Sequence, residues 1–168
     1  GFDSDGRILS LQVQLFSDGG AYADLSTSIM ERAMLHCDNA YFIPHIKVEG
    51  QVCRTHYHPH TAFRGFGGPK GVATIERVIE EIAFYLKKDS LDIRQLNCYQ
   101  DDRKITHYLQ EVENNMLPTL LKELEQNCDY RKRRAELKPN HGLSLTPVKF
   151  GISFTTRFLN QANALVII

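Results

Sequence analysis

Leu9, Leu11, Val13 and Leu15 alternate with Ser10, Gln12 and Gln14, a period of two that predicts a strand with one buried face. Asp3-Ser4-Asp5-Gly6 ahead of it is turn chemistry, and Ser17-Asp18-Gly19-Gly20 is expected to end it. Ser28 with Glu31 three residues later has the spacing of a capping box, and Ile29, Met30, Ala33 and Met34 lay an apolar stripe along a helix over about residues 27–37. Beyond Pro44, the residues Ile46, Val48 and Val52 among polar neighbours up to Thr55 predict a second strand, with Gly50 placed to bend or bulge it.

Pro69 suits the first turn of a helix on which Val72, Ile75, Val78, Ile79, Ile82, Ala83 and Leu86 recur at helical spacing. A short helix about residues 91–96 and a longer one opening near Pro118, with Leu120, Leu121 and Leu124 inward, are expected next, separated by a loop over 97–113. The basic run 131–134 falls on a predicted helix and reads as a solvated face. Residues 143–155 are strand-like though interrupted by Pro147, and 164–168 are purely apolar, the pattern of a buried strand. Strands and helices mixed in this order give an α+β fold class, with 1–168 one piece of a larger domain. Neither an initiating Met nor a signal-like segment opens the chain, and a bare buried strand closes it, so truncation at both ends is expected, with self-association through the last strand.

Charge narrows the partners. The 168 residues hold 20 Lys+Arg against 20 Asp+Glu, a net charge of zero, so no whole-chain field draws nucleic acid or an anionic membrane. Apolar runs fall far short of the roughly 20 residues that span a bilayer. The 4 cysteines are scattered without a CxxC pair, which suits reduced thiols in a cytoplasmic protein.

Candidate chemistry lies in four clusters. Phe63-Arg64-Gly65-Phe66-Gly67-Gly68-Pro69 sets glycines and an arginine before a helix amino end, a geometry that favours an anion and is also common in turns that bind nothing. It is neither a Walker A loop nor a dinucleotide fingerprint. His56, His58 and His60 alternate, as metal ligands on an extended segment would, or as an exposed polar loop interrupted by Pro59 would. Glu31-Arg32 reads as a surface pair, or as an anion ligand if it faces a cleft. Phe154 and Thr155 adjoin on a predicted strand end, where an aromatic ring is core or ligand platform. No complete triad, metal site or acid–base pair emerges from spacing alone.

Met30-Glu31-Arg32-Ala33, then Thr61-Ala62-Phe63-Arg64-Gly65-Phe66-Gly67-Gly68-Pro69, then Lys149-Phe150-Gly151-Ile152-Ser153-Phe154 with Phe158-Leu159-Asn160-Gln161-Ala162, in this order, resemble the molybdenum-binding portion of the xanthine dehydrogenases within the molybdenum hydroxylase family. The resemblance covers essentially the whole chain, and the Phe-Arg-Gly-Phe-Gly-Gly-Pro string is its most specific part. It implies a parent oxidoreductase that carries molybdenum on molybdopterin, hydroxylates an electron-poor carbon of hypoxanthine or xanthine, and passes electrons through iron–sulfur clusters and FAD, on partner subunits or domains, to NAD. A homo-oligomer is implied as well.

By the same resemblance Arg32 would pair with a purine oxygen, Phe66 would stack on the ring face, Phe154 would meet it edge-on and Thr155 would offer a hydroxyl. Arg64, Gly65 and Phe66 would lie at the cofactor. Arg32 favours a purine over an aldehyde, because aldehyde-oxidising relatives generally lack an arginine there. Departures from the family pattern are Lys70 for a usual glutamine, Thr156-Arg157 for Val-Pro, and Asn163 for glycine, which leave access channel and substrate range open. The family's base glutamate, second substrate glutamate and several pterin-binding segments are not in this chain, so alone it is expected to be inactive. The alternatives are an aldehyde or other N-heterocycle hydroxylase, or a non-catalytic assembly piece.

Overall fold

The structure is a computed structural model that describes residues 1–156 and 159–167. Strand β1 spans Ser10–Gly20, helix α1 Ser26–Leu35, strand β2 His45–Arg54, and helices α2 Gly68–Leu86, α3 Ser90–Asn97, α4 Leu117–Asn127 and α5 Tyr130–Ala135. β1 and β2 pair in parallel, Ser10 opposite His45 through Asp18 opposite Cys53. Parallel neighbours need a crossover, and α1 supplies it. The mixed α+β class expected from the sequence is the one observed, and it positions the site by stacking α1 on the sheet and α2 on α1.

β1 ends within Ser17-Asp18-Gly19-Gly20 as expected, at its last residue and with one irregularity between Asp18 and Gly20, because Asp18 Oδ1 accepts the Gly20 N–H at 2.9 Å and the Thr55 hydroxyl at 2.5 Å and so stitches the turn-like residues into the sheet. Two local expectations are corrected. Gly50 neither bends nor bulges β2, since it pairs in register with Leu15. It is glycine because a Cβ there would run into the side chains of Met30 and Met34, the face by which α1 covers the sheet. The capping box does not form either. The N-cap of α1 is Leu25, without a side-chain cap bond, and the Ser28 hydroxyl instead lies 2.5 Å from that of Thr156.

The core gathers Ile8, Tyr41, Ile43, Ile75, Ile79, Ile82, Leu91, Ile93, Leu121 and Tyr130, so the inward stripe of α2 is the one its periodicity predicts. On α4 the expectation is only partly met: Leu121 is buried, whereas Leu120 and Leu124 are about half exposed, because the helix touches the core along one line rather than a broad face. Within the helical layer Arg94, 2% exposed, donates to Glu76 at 2.8 Å, Glu80 at 2.5 Å and Ser90 at 2.8 Å. A charge buried there is tolerated because every face of the guanidinium has a partner.

Among the described residues the two strands expected late in the chain do not form. Residues 143–155 have no partner strand, nor have 164–167, whose Leu165, Val166 and Ile167 are exposed rather than buried. For 164–167 the period-free apolar pattern reported composition, while a strand also needs a neighbour with free backbone groups. Arg157 and Phe158 of the family-like block, and Ile168 at the expected strand's end, lie outside the described residues.

Candidate functional site

The extended arm 147–155 is held by one face of α1. Asn39, just past the helix, donates from Nδ2 to the Pro147 carbonyl at 2.8 Å and accepts the Lys149 N–H at 3.0 Å. His36 accepts the Gly151 N–H at Nε2, 3.0 Å away. Arg32 donates from Nη1 to the Gly151 carbonyl and from Nη2 to the Ser153 carbonyl, each at 2.5 Å, and the Thr155 hydroxyl donates to the Ser28 carbonyl at 2.9 Å. Residues 28, 32 and 36 recur every four positions, so they share one helix face. Pro147, Lys149, Gly151 and Ser153, whose backbone groups make these bonds, recur every two, so they share one edge of the arm before it bends. A helix face thus does what a neighbouring strand would do for the arm's backbone, which is why the strand-like pattern of 143–155 yields no strand.

The turn before α2 enters from the other side. Gly65, Phe66 and Gly67 all have positive φ, +90°, +49° and +93°, and for a phenylalanine this left-handed conformation costs on the order of 1 kcal/mol. Its consequence is placement: the Phe66 ring lies 5.3 Å from the Phe154 ring at 50°, and the Arg32 guanidinium lies 5.9 Å from the Phe66 centroid and 5.2 Å from that of Phe150. Gly67 and Gly71 let the turn and the start of α2 press on α1, since a Cβ at either would strike the carbonyl oxygen of Ile29 or Ala33.

Arg32, Phe66 and Phe154, far apart in sequence, therefore converge, and Thr155, next to Phe154 in the arm, is bonded to Ser28 on the same helix face as Arg32. Arg32 is 5% exposed, and its Nε, also buried, has no hydrogen-bond partner among the described residues. Arg64 does not join the cluster and is exposed. Beside it, the amino end of α2 has neither a side-chain cap nor an acidic residue in its first turn. The Gly68 and Lys70 N–H groups meet the Gly65 and Gly67 carbonyls, so it is the positive end of the helix dipole next to an exposed guanidinium that fits an anionic, oxygen-rich group such as a pterin cofactor, with Arg64, Gly65 and Phe66 the residues that would hold it.

Residues that sequence reasoning gave no role complete the setting. His36, 3% exposed, has Nδ1 2.7 Å from the Arg32 carbonyl. An N–H group can only donate, so Nε2 facing Gly151 is unprotonated and Nδ1 carries the proton. Burial, then the nearby charges of Arg32 and Lys149, hold the imidazole pKa below its ordinary value against the opposing carbonyl bond and Asp38. Asp38 is buried with its Oδ2 accepting the Tyr99 hydroxyl at 2.6 Å and the Lys149 ammonium. Burial alone would push that carboxyl up, but His107, Lys149 and Tyr99 together hold it below the usual carboxylate range. The four-residue recurrence of Ser28, Arg32 and His36 was the available signal for this face.

The alternating histidines follow β2 in a loop, where His60 Nε2 lies 3.4 Å from Asp18 Oδ2 and the rings of His58 and His60 are 5.6 Å apart. Among the described residues no three His, Cys, Asp or Glu side chains are grouped to hold a metal ion, and no helix is long and apolar enough to cross a membrane.

Comparison with known proteins identifies the family. Residues 1–98 match the molybdopterin cofactor-binding domain family. Xanthine dehydrogenase 1 of Arabidopsis thaliana is 44% identical across 99% of this chain, and the xanthine dehydrogenase/oxidase of Felis catus is 41% identical across 99%. The chain spans 13% of the length of each of these relatives. Among solved structures, the aldehyde oxidoreductase of Desulfovibrio desulfuricans aligns with a TM-score of 0.74 at 27% identity, over 82% of this chain and 15% of that one. Quinoline 2-oxidoreductase of Pseudomonas putida 86 aligns at 0.67 and 26%, over 80% and 18%. The family match over residues 1–98, the identity carried through the arm, and the shared fold have one reading: the chain belongs to the molybdopterin cofactor-binding domain family, as found in the molybdenum-dependent xanthine dehydrogenases.

Proposed function

We propose that this chain forms one wall of the substrate pocket in a molybdenum hydroxylase that oxidises hypoxanthine and xanthine to urate. The observation that carries the proposal is the convergence of Arg32, Phe66 and Phe154 on one spot. A guanidinium beside two aromatic rings is a receptor for a flat heterocycle that bears an oxygen and gains negative charge as it reacts. Arg32 would pair with a purine oxygen, exchanging for it one of the carbonyls it now holds. Phe66 would present its face to the ring and Phe154 its edge, and the Thr155 hydroxyl would turn from the Ser28 carbonyl to the substrate. Arg64, Gly65 and Phe66 would hold the molybdenum cofactor, which supplies the oxidation itself. Hypoxanthine and xanthine are positioned by shape and by the one charged contact, so the part this chain plays is orientation and stabilisation of charge on the ring.

The parent would pass electrons to iron–sulfur and flavin units and on to NAD, and the chain alone would be inactive. All four cysteines are free, which supports a reducing, cytoplasmic setting. Exposed Leu165, Val166 and Ile167 support self-association of the isolated chain. A second reading, oxidation of an aldehyde or another N-heterocycle, is favoured by the names of the solved neighbours, an aldehyde oxidoreductase and a quinoline oxidoreductase. Arg32 opposes the aldehyde version, which has no need of a buried cation. A substrate panel on the complete, molybdenum-loaded protein decides: kcat/KM highest for xanthine or hypoxanthine supports the purine reading, and turnover of aldehydes without purines overturns it.

A further inference from the structure

Gly151 is gripped from both sides by one helix face. Its N–H is held by His36 Nε2 at 3.0 Å and its carbonyl by Arg32 Nη1 at 2.5 Å. Arg32 thus spends two of its five N–H donors on the arm, one on Gly151 and one on Ser153, and a substrate oxygen that turns the guanidinium toward itself competes with those two bonds. Phe154 and Thr155 follow directly in the arm. Were Arg32 the arm's sole tether near them, its turning to substrate would loosen the very residues that must close on the ring.

His36 is independent of that exchange. Its Nδ1 proton is tied to the Arg32 backbone carbonyl at 2.7 Å rather than to the guanidinium, and the ring packs against Phe150 at 4.9 Å and 45°. Because both ring nitrogens meet backbone groups, one neutral tautomer is fixed with its acceptor aimed at Gly151. Space is not what fixes Gly151, since a Cβ there would find its nearest atoms at 3.8 Å, on His36, and 4.0 Å, on Arg32. The hydrogen bonds do.

We propose that His36 is a positioning residue for substrate binding: it anchors the arm at Gly151 so that Arg32 can trade arm carbonyls for a substrate oxygen while Phe154 and Thr155 keep their places. This rests on the reading of Arg32 and Phe154 as pocket residues. The imidazole touches neither substrate nor cofactor; it acts through the arm.

The test uses the complete protein with its molybdenum quantified. Asparagine reaches only as far as Nδ1, whereas the glutamine amide oxygen reaches the position of Nε2, so the two replacements separate the anchoring bond from simple loss of the ring. His36→Asn is expected to raise the KM for xanthine about tenfold, the worth of one good buried hydrogen bond, with kcat within about threefold of wild type. Amide hydrogen exchange over residues 149–155 is expected to quicken at unchanged molybdenum content. His36→Gln is expected to restore KM and exchange to near wild type, and Gly151→Pro, which deletes the bonded N–H and leaves His36 alone, to reproduce His36→Asn. Wild-type KM and exchange in both His36→Asn and Gly151→Pro would overturn the inference, as would equal damage from asparagine and glutamine. Arg32→Met separates this from the underlying reading. If it impairs purine turnover while His36→Asn is silent, the anchoring role alone fails; if it leaves purine turnover intact, the pocket reading fails and the substrate role of His36 with it, whatever the exchange rates show.

Discussion

Arg32 is a buried cation whose partners in the site are carbonyls and aromatic rings rather than a carboxylate. Such an arrangement leaves its charge unneutralised, the state in which a guanidinium has most to offer an electron-rich ring oxygen. Next to it His36 must stay neutral, and this gives stability a definite dependence on pH. Its folded pKa lies below the unfolded value of 6.5, so the unfolded chain binds the proton more readily. The contribution is complete above pH 6.5 and is lost as pH falls through the lower folded value. Urea denaturation is expected to show stability declining from about pH 6.5 downward, with a flatter profile in His36→Gln; an unchanged profile in that variant would contradict the account. Asp38, also lowered in the fold from 3.8, contributes above that value and is lost only at still lower pH, so the two losses set in at different pH.

Among the elements, the contact of α2 with α1 is the one on which the site depends most, because it brings the Phe66 turn onto the Arg32 face. Gly71 lies at that contact with no room for a Cβ against the Ala33 carbonyl, and Gly71→Ala is expected to destabilise by about 1–3 kcal/mol, the usual cost of overpacking, read as a shift in the urea midpoint. On α4, Leu121→Ala is expected to cost about 2–5 kcal/mol and Leu120→Ala less than about 1, since only the former is buried. The apolar stripe of α2 was legible because burial on one helix face imposes its period directly. That the turn-like residues 17–20 belong to β1 itself, and which side of α4 faces inward, were not, because Asp18 recruits turn residues into the sheet and α4 meets the core along a single line. The arm was legible as extended chain, yet its partner was not: Arg32 and His36 on a helix face, with Asn39 just past the helix, satisfy an extended backbone as a strand does, and no local pattern in 143–155 distinguishes the two. The pocket residues came from resemblance to a family, whereas His36 and Asn39 required the fold.

For the whole molecule, the two-stranded parallel sheet is small for its kind, as parallel sheets are ordinarily covered on both faces. Here the outer face carries Gln12, Gln14, Phe16, Lys47, Glu49 and Gln51, all exposed. Together with the exposed tail, this predicts that the isolated chain self-associates and that deletion of residues 164–168 shifts it toward monomer in light scattering. A chain that is already monomeric would contradict the expectation. The central claim, that this wall receives a purine through Arg32, is tested most directly by xanthine turnover in the complete, molybdenum-loaded protein, comparing wild type with Arg32→Met. A loss of about a hundredfold in kcat/KM, near 3 kcal/mol of charge stabilisation, at equal molybdenum content is the predicted result, and an unchanged rate would contradict it.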